Sequence, residues 1–142
     1  PITYQHQAGS IYAKEINHWS KNVLEEPSDN LIDGFDRLLS LGSNDWSELV
    51  STSLDTTHYV FSQCKDAVDG VAGRIPVYMG IGVDAPSHNA NQSKCTYDMV
   101  YQSVIKSVEA GALGLIYSPN YSFMNLKNLD ASVHALRDLK VI

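Results

Sequence analysis

Arg74-Ile75-Pro76-Val77-Tyr78-Met79-Gly80-Ile81-Gly82-Val83-Asp84 is the stretch on which the reading of the fold turns. Between Ile75 and Val83 it runs apolar without a break, which is the pattern of a strand covered on both faces. Pro76 is tolerable because it stands near the start of the run, where a missing amide breaks no interior ladder bond. Asp84 then opens a polar loop that continues to Cys95, with Pro86 and several Asn and Ser residues. Thr96 is placed to cap a helix whose Tyr97, Val100, Tyr101, Val104, Ile105 and Val108 share one stripe. Gly111 closes that helix. Leu113-Gly114-Leu115-Ile116-Tyr117 is a second apolar strand, and after Ser118 to Asn125 a last helix turns Leu126, Leu129, Val133 and Leu136 inward. Arg137 and Lys140 lie in its final turn, where cations suit the helix dipole.

Upstream the pattern is helical. Val60, Cys64, Val68 and Val71 recur at steps of four, four and three, in a helix that starts near Asp55 or Thr56 and weakens at Gly70 and Gly73. Ser28-Asp29-Asn30 caps an earlier helix carrying Leu31, Phe35, Leu38 and Leu39, stopped by Gly42. Before it, Tyr12, Ile16, Trp19 and Val23 mark a helix from Ala8 to Val23, broken by Pro27. Ile2-Thr3-Tyr4 reads as the end of a strand.

Strand, helix, strand, helix with tight Ala-Gly-Ala joins implies parallel strands linked by crossovers, an α/β fold. The strand-to-helix loops are long and polar and the helix-to-strand joins short. That asymmetry places a functional face at the strand C-termini, in a barrel or in an open doubly wound sheet alike. The expected architecture is the C-terminal portion of a (β/α)8 TIM barrel, about three βα units. Residues 55–142 supply the last units, and residues 1–54 a looser sixth unit with a helical insertion. The 142 residues are too few for a closed barrel, which needs about 200. The start on Pro-Ile-Thr-Tyr without Met fits a fragment or a processed product.

The formal charge is −6, and no basic run exceeds isolated Lys or Arg, which speaks against a nucleic-acid partner. No apolar stretch approaches the roughly 20 residues that span a bilayer. Cys64 and Cys95 are too few for a disulfide scaffold or a closed zinc site. Cys64 is expected buried on its helix stripe, and Cys95 exposed in a polar loop. The histidines form no ligand pair, so neither metal nor cofactor is expected. Nothing in the chain fixes a cellular compartment.

Asp84 is the leading candidate for chemistry. A carboxylate ending a buried strand serves as nucleophile, general base or acceptor for a sugar hydroxyl; the plainer reading is a loop cap on nearby amides. Tyr117, Ser118, Asn120 and Tyr121 follow the other strand, and aromatic rings with hydroxyls and amides suit a sugar. The plainer reading there is packing around a turn at Pro119. Tyr4 and His6 end a third strand on the same face, with His6 a proton carrier or simply exposed. Gly80-Ile81-Gly82, read as a turn, offers weak backbone access to a phosphate.

The run from Arg74 to Pro86, and Ala110-Gly111-Ala112-Leu113-Gly114-Leu115-Ile116-Tyr117-Ser118-Pro119-Asn120-Tyr121 with Leu126-Lys127-Asn128-Leu129, resembles the seventh and eighth strands of glycoside-hydrolase-like (β/α)8 barrel proteins. The resemblance implies a carbohydrate ligand and Asp84 as the catalytic or substrate-binding carboxylate, with Tyr4, His6, Tyr117, Ser118, Asn120 and Tyr121 lining the sugar site. Gly82 stands where the family carries a first acid, and Asp84 keeps the second. Pro119 and Phe123 stand where the family has Arg and Glu, which removes charge from the site.

The expected function is therefore that of the C-terminal part of a glycoside hydrolase. The alternatives are a carbohydrate-binding barrel without catalysis, or a barrel lyase or isomerase holding phosphate at Gly80-Ile81-Gly82. Hydrolysis needs two carboxylates across one bond, and only Asp84 follows a strand end directly. The expected partners are a carbohydrate and either the remainder of the barrel or a second copy, since open strand edges invite association.

Overall fold

The structure is a computed structural model, and it describes residues 2–3, 8–25, 28–39, 57–83, 95–118 and 124–142. Among the described residues, three helical pieces follow the first strand before the second is reached. Strand β1 is Ile2–Thr3, and helix α1 is Ala8–Trp19, which passes directly into a π-helical turn, Ser20–Leu24. Glu25, at φ 54°, leaves the helical conformation and ends it. Helix α2 is Ser28–Leu39 and α3 is Thr57–Val71. Ala72 and Gly73 follow with φ of 49° and 73°, two successive left-handed residues that stop α3 and turn the chain toward the sheet. Arg74 folds back on that terminus, its guanidinium donating to the carbonyls of Val71 and Gly70.

The second half alternates. Strand β2 is Tyr78–Gly82, helix α4 Tyr97–Glu109, strand β3 Gly114–Ser118 and helix α5 Leu126–Asp138. Thr96 caps α4 by accepting from the Met99 amide at 3.2 Å, and Asn125 caps α5 by accepting from Lys127 at 3.0 Å. Gly111, at φ 100°, makes the turn from α4 into β3. An added Cβ there would lie 3.3 Å from Val68, so the glycine also lets α3 come close.

The sheet is parallel throughout, in the order β1-β2-β3. β2 and β3 run level, from Tyr78 opposite Gly114 to Gly82 opposite Ser118, and β1 adds two residues opposite Gly80 and Ile81. The helices cover the face that carries Met79, Ile81, Val83, Leu115 and Tyr117. One core joins that face to Ile16 of α1, Ile32 of α2, Val60 and Cys64 of α3, Val100 and Val104 of α4, and Ala131 and Ala135 of α5. Small residues make the helix contacts close. Ser103 and Ser107 of α4 and Ala131, Ser132 and Ala135 of α5 are all buried, and the Cys64 thiol donates to the Ser107 carbonyl at 3.6 Å.

The expected portion of a (β/α)8 barrel is not what the chain forms. The described residues are mostly helical and carry one small parallel sheet, two strands of five residues and one of two, with no run of barrel units among them. Among the described residues, the connection from β1 to β2 carries α1, α2 and α3, and these pack helix on helix. A continuous apolar run and a glycine-closed crossover are properties of a single parallel βα unit. They carry no information on strand number or closure, and for that reason the local pattern overreached.

Candidate functional site

The level register of β2 and β3 brings their C-terminal ends to one edge of the sheet, with β1 ending one pairing step short of Gly82. The residues predicted as a site follow those three ends in sequence. Tyr4 and His6 come after β1, Asp84 directly after Val83, and Asn120 and Tyr121 directly after the Ser118–Pro119 step. Tyr4, His6, Asp84, Asn120 and Tyr121 themselves lie outside the described residues, and Ser118 is described by its backbone, as the last residue of β3.

The edge is tied down from below. Val83 is fully buried, and its carbonyl accepts from the Asn125 amide at 3.1 Å. The Cys95 thiol donates to the Gly82 carbonyl at 3.4 Å, and the Asn128 side-chain amide donates to the Cys95 carbonyl at 3.2 Å. Both side chains are buried. The two anchor points of the segment between Val83 and Cys95 are therefore fixed to each other and to α5. Cys95 was expected exposed and is instead part of this frame, because a thiol packs like a small hydrophobe and still finds a carbonyl. Asn128 went unremarked as a frame residue. The inward stripe expected of this helix is itself corrected: Leu126 at 75% and Val133 are exposed, and the buried face is Asn128, Ala131, Ser132 and Ala135, with Leu129 and Leu136 partly buried beside it. Buried amides are found where a backbone group needs a partner.

Tyr117 is the predicted site residue whose side chain is described. It lies half-buried on the helix-covered face of β3, and its hydroxyl is hydrogen-bonded to the Ser132 hydroxyl of α5. The ring packs into the core cluster, so Tyr117 acts on the edge through α5, as a tie between strand and helix. The phosphate reading expected a turn at Gly80-Ile81-Gly82. These residues form the last three positions of β2 and are buried, which leaves no turn there for an anion.

Among the described residues no three His, Cys, Asp or Glu side chains converge where a metal ion could sit, and no helix is long and apolar enough to cross a membrane. Asp98, exposed in the first turn of α4, is a described carboxylate at the helix end that starts beside this edge. Comparison with family models, curated proteins and solved structures finds no match to this chain. The sheet edge and its frame thus stand as the basis for a functional reading. The glycoside-hydrolase-like resemblance rests on the quoted motifs alone.

Proposed function

We propose that this chain recognises a carbohydrate at the C-terminal edge of its parallel sheet, with Asp84 as the carboxylate that engages the sugar. One observation supports the reading above others: β2 and β3 end level on a hydrogen-bonded frame, so the segments that follow Val83 and Ser118 in sequence both leave from one edge. Open parallel sheets bind ligands in the crevice outside the carboxyl ends of their strands. The sequence that follows those ends is rich in sugar-binding chemistry. Asp84 and Asn120 offer acceptors and donors for hydroxyl rims, Tyr121 and Tyr4 offer ring faces for pyranose stacking, and Ser118 and His6 add further polar atoms. Tyr117 holds the β3 side of the edge through Ser132 and is a positioning residue in this reading.

Recognition is favoured over hydrolysis as the role of this chain because glycosidic cleavage requires a second carboxylate on the opposite side of the bond. The test is a panel of neutral and acidic oligosaccharides titrated calorimetrically into the chain, followed by Asp84→Asn. We expect one glycan class to bind and the variant to lose affinity about tenfold, the effect of weakening one charge-assisted hydrogen bond. Absence of binding across the panel would sink the reading. Turnover of an aryl glycoside that Asp84→Asn abolishes would replace recognition by hydrolysis as the function.

A further inference from the structure

We propose that two copies of this chain associate through the apolar surface at the N-terminal ends of β2 and β3, the end of the sheet opposite the candidate sugar edge. Three large apolar side chains are exposed there, Leu113 at 76%, Ile75 at 62% and Tyr78 at 51%, and Ile116, midway along β3, is exposed at 53%. They form one surface. The Leu113 amide donates to the Val77 carbonyl at 2.9 Å, which sets the two strand entrances side by side. Ile75 and Leu113 line a common cleft of about 520 Å³, walled by Val68, Val71 and Val77. On the sheet face that joins this cleft, the Tyr78 ring lies over Gly114, in the space a Cβ would take, and Ile116 is the next residue of β3 on that face.

The four side chains expose on the order of 500 Å² together, toward the upper end of the roughly 300–600 Å² that a monomer's largest apolar patch reaches. A stable interface takes about 800 Å² from each partner. Exposed Pro76 and Gly111 in the cleft lining, and the backbone of β3, one of the two edge strands of the described sheet, extend the patch toward that size.

Two features favour a second copy as the occupant. A two-fold contact uses the same patch on both partners, so the patch must offer both a projection and a recess. This one does, with Leu113 standing out beside a valine-walled cleft that a leucine side chain fills only in part. The second feature is charge. At −6 the chain repels its own copies, so self-contact requires a region without carboxylates. The cleft lining holds no acid. Its single charge, Arg74, is exposed in the lining, with two of its guanidinium nitrogens donating to the Val71 and Gly70 carbonyls at the end of α3.

The experiment is sedimentation equilibrium of the chain at about 100 µM, a concentration that populates an interface of this modest size. We expect twice the chain mass, and at least a tenfold weaker association in Leu113→Asp and in Ile75→Asp. Both side chains are exposed, and far-UV circular dichroism verifies that each variant keeps the wild-type fold. A wild-type chain that sediments as a monomer overturns the proposal. A dimer that survives both substitutions in folded variants also overturns it. Because the patch lies away from the sugar edge, Asp84→Asn leaves the association unchanged whatever its effect on glycan binding.

Discussion

Cys64 sits on the inner side of α3, fully buried, and burial pushes its thiol above the ordinary value of 9.0. Tyr59, one turn earlier, is raised from 10.0 by burial and by its hydrogen bond to the Tyr12 hydroxyl at 3.1 Å. Both groups hold their protons in the folded chain at pH values where the unfolded chain releases them. Stability carried by them is complete at neutral pH. It is lost as the pH rises, past 9 for the thiol and past 10 for the phenol, because the unfolded state then binds fewer protons. Urea unfolding followed between about pH 7 and 11 should show an unfolding free energy that falls on the alkaline side, by about 1 kcal/mol from Tyr59 alone at pH 11. Tyr59→Phe should flatten the fall above pH 10; an unchanged slope in that variant would remove Tyr59 from the account. Neither shift is visible in the sequence. The helix stripe placed Cys64 inside, but the raised values need the Tyr12 hydroxyl and the closed core, which come from different parts of the chain.

At the scale of elements, the boundaries follow local chemistry closely. Thr96 caps α4, Gly111 closes it, and the left-handed pair Ala72–Gly73 ends α3 where the spacing of Gly70 and Gly73 indicated a stop. Thr96→Ala removes the acceptor for the Met99 amide and should cost about 1 kcal/mol in chemical denaturation, while Thr96→Ser keeps it. Where the reading of elements missed, an element was shorter or differently faced than its apolar run. Ile75 to Val83 is apolar throughout, yet the ladder covers Tyr78–Gly82, because Ile75 and Pro76 lie before the pairing with β3 begins. Trp19 and Val23 share the helical stripe of Tyr12 and Ile16 but are exposed: the buried line is Ala13, Ile16 and Ser20, and past Ser20 the π-helical turn leaves Val23 in solvent. A change of helical period is not written in residue type. Tyr117 shows the same limit from the side of function: strand alternation puts it on one face or the other, and only the position of α5 determines that its hydroxyl meets Ser132.

For the whole molecule, the core is unevenly supplied. Among the described side chains, β2 with the adjoining Val83, α4 and α5 contribute Met79, Ile81, Val83, Val100, Val104, Ala131 and Ala135, β3 adds the partly buried Leu115 and Tyr117, and α2 contributes Ile32 as a buried side chain. Native-state hydrogen exchange should therefore report opening of α2 at lower free energy than the amides of β2 and α4, which we expect to exchange near the global unfolding limit. Equal protection of α2 and β2 would mean that the helical first half folds as one unit with the sheet. Two cross-helix ties strengthen the second half, Tyr97 to His134 at 2.6 Å and Tyr101 to Asp138 at 2.6 Å. Neither pair was legible, since the partners are separated by 37 residues and sit on the outer sides of two helices. The sequence by itself determined the elements of the second half, their order and their parallel sense, because apolar periodicity, caps and glycine stops act within a few residues. It also set the edge of the sheet from which the polar segments depart. Only the tertiary structure decided that these elements make a small sheet under helices and not part of a barrel. Strand number and closure depend on what packs against what across the whole chain, and a covered strand looks the same locally in either surrounding.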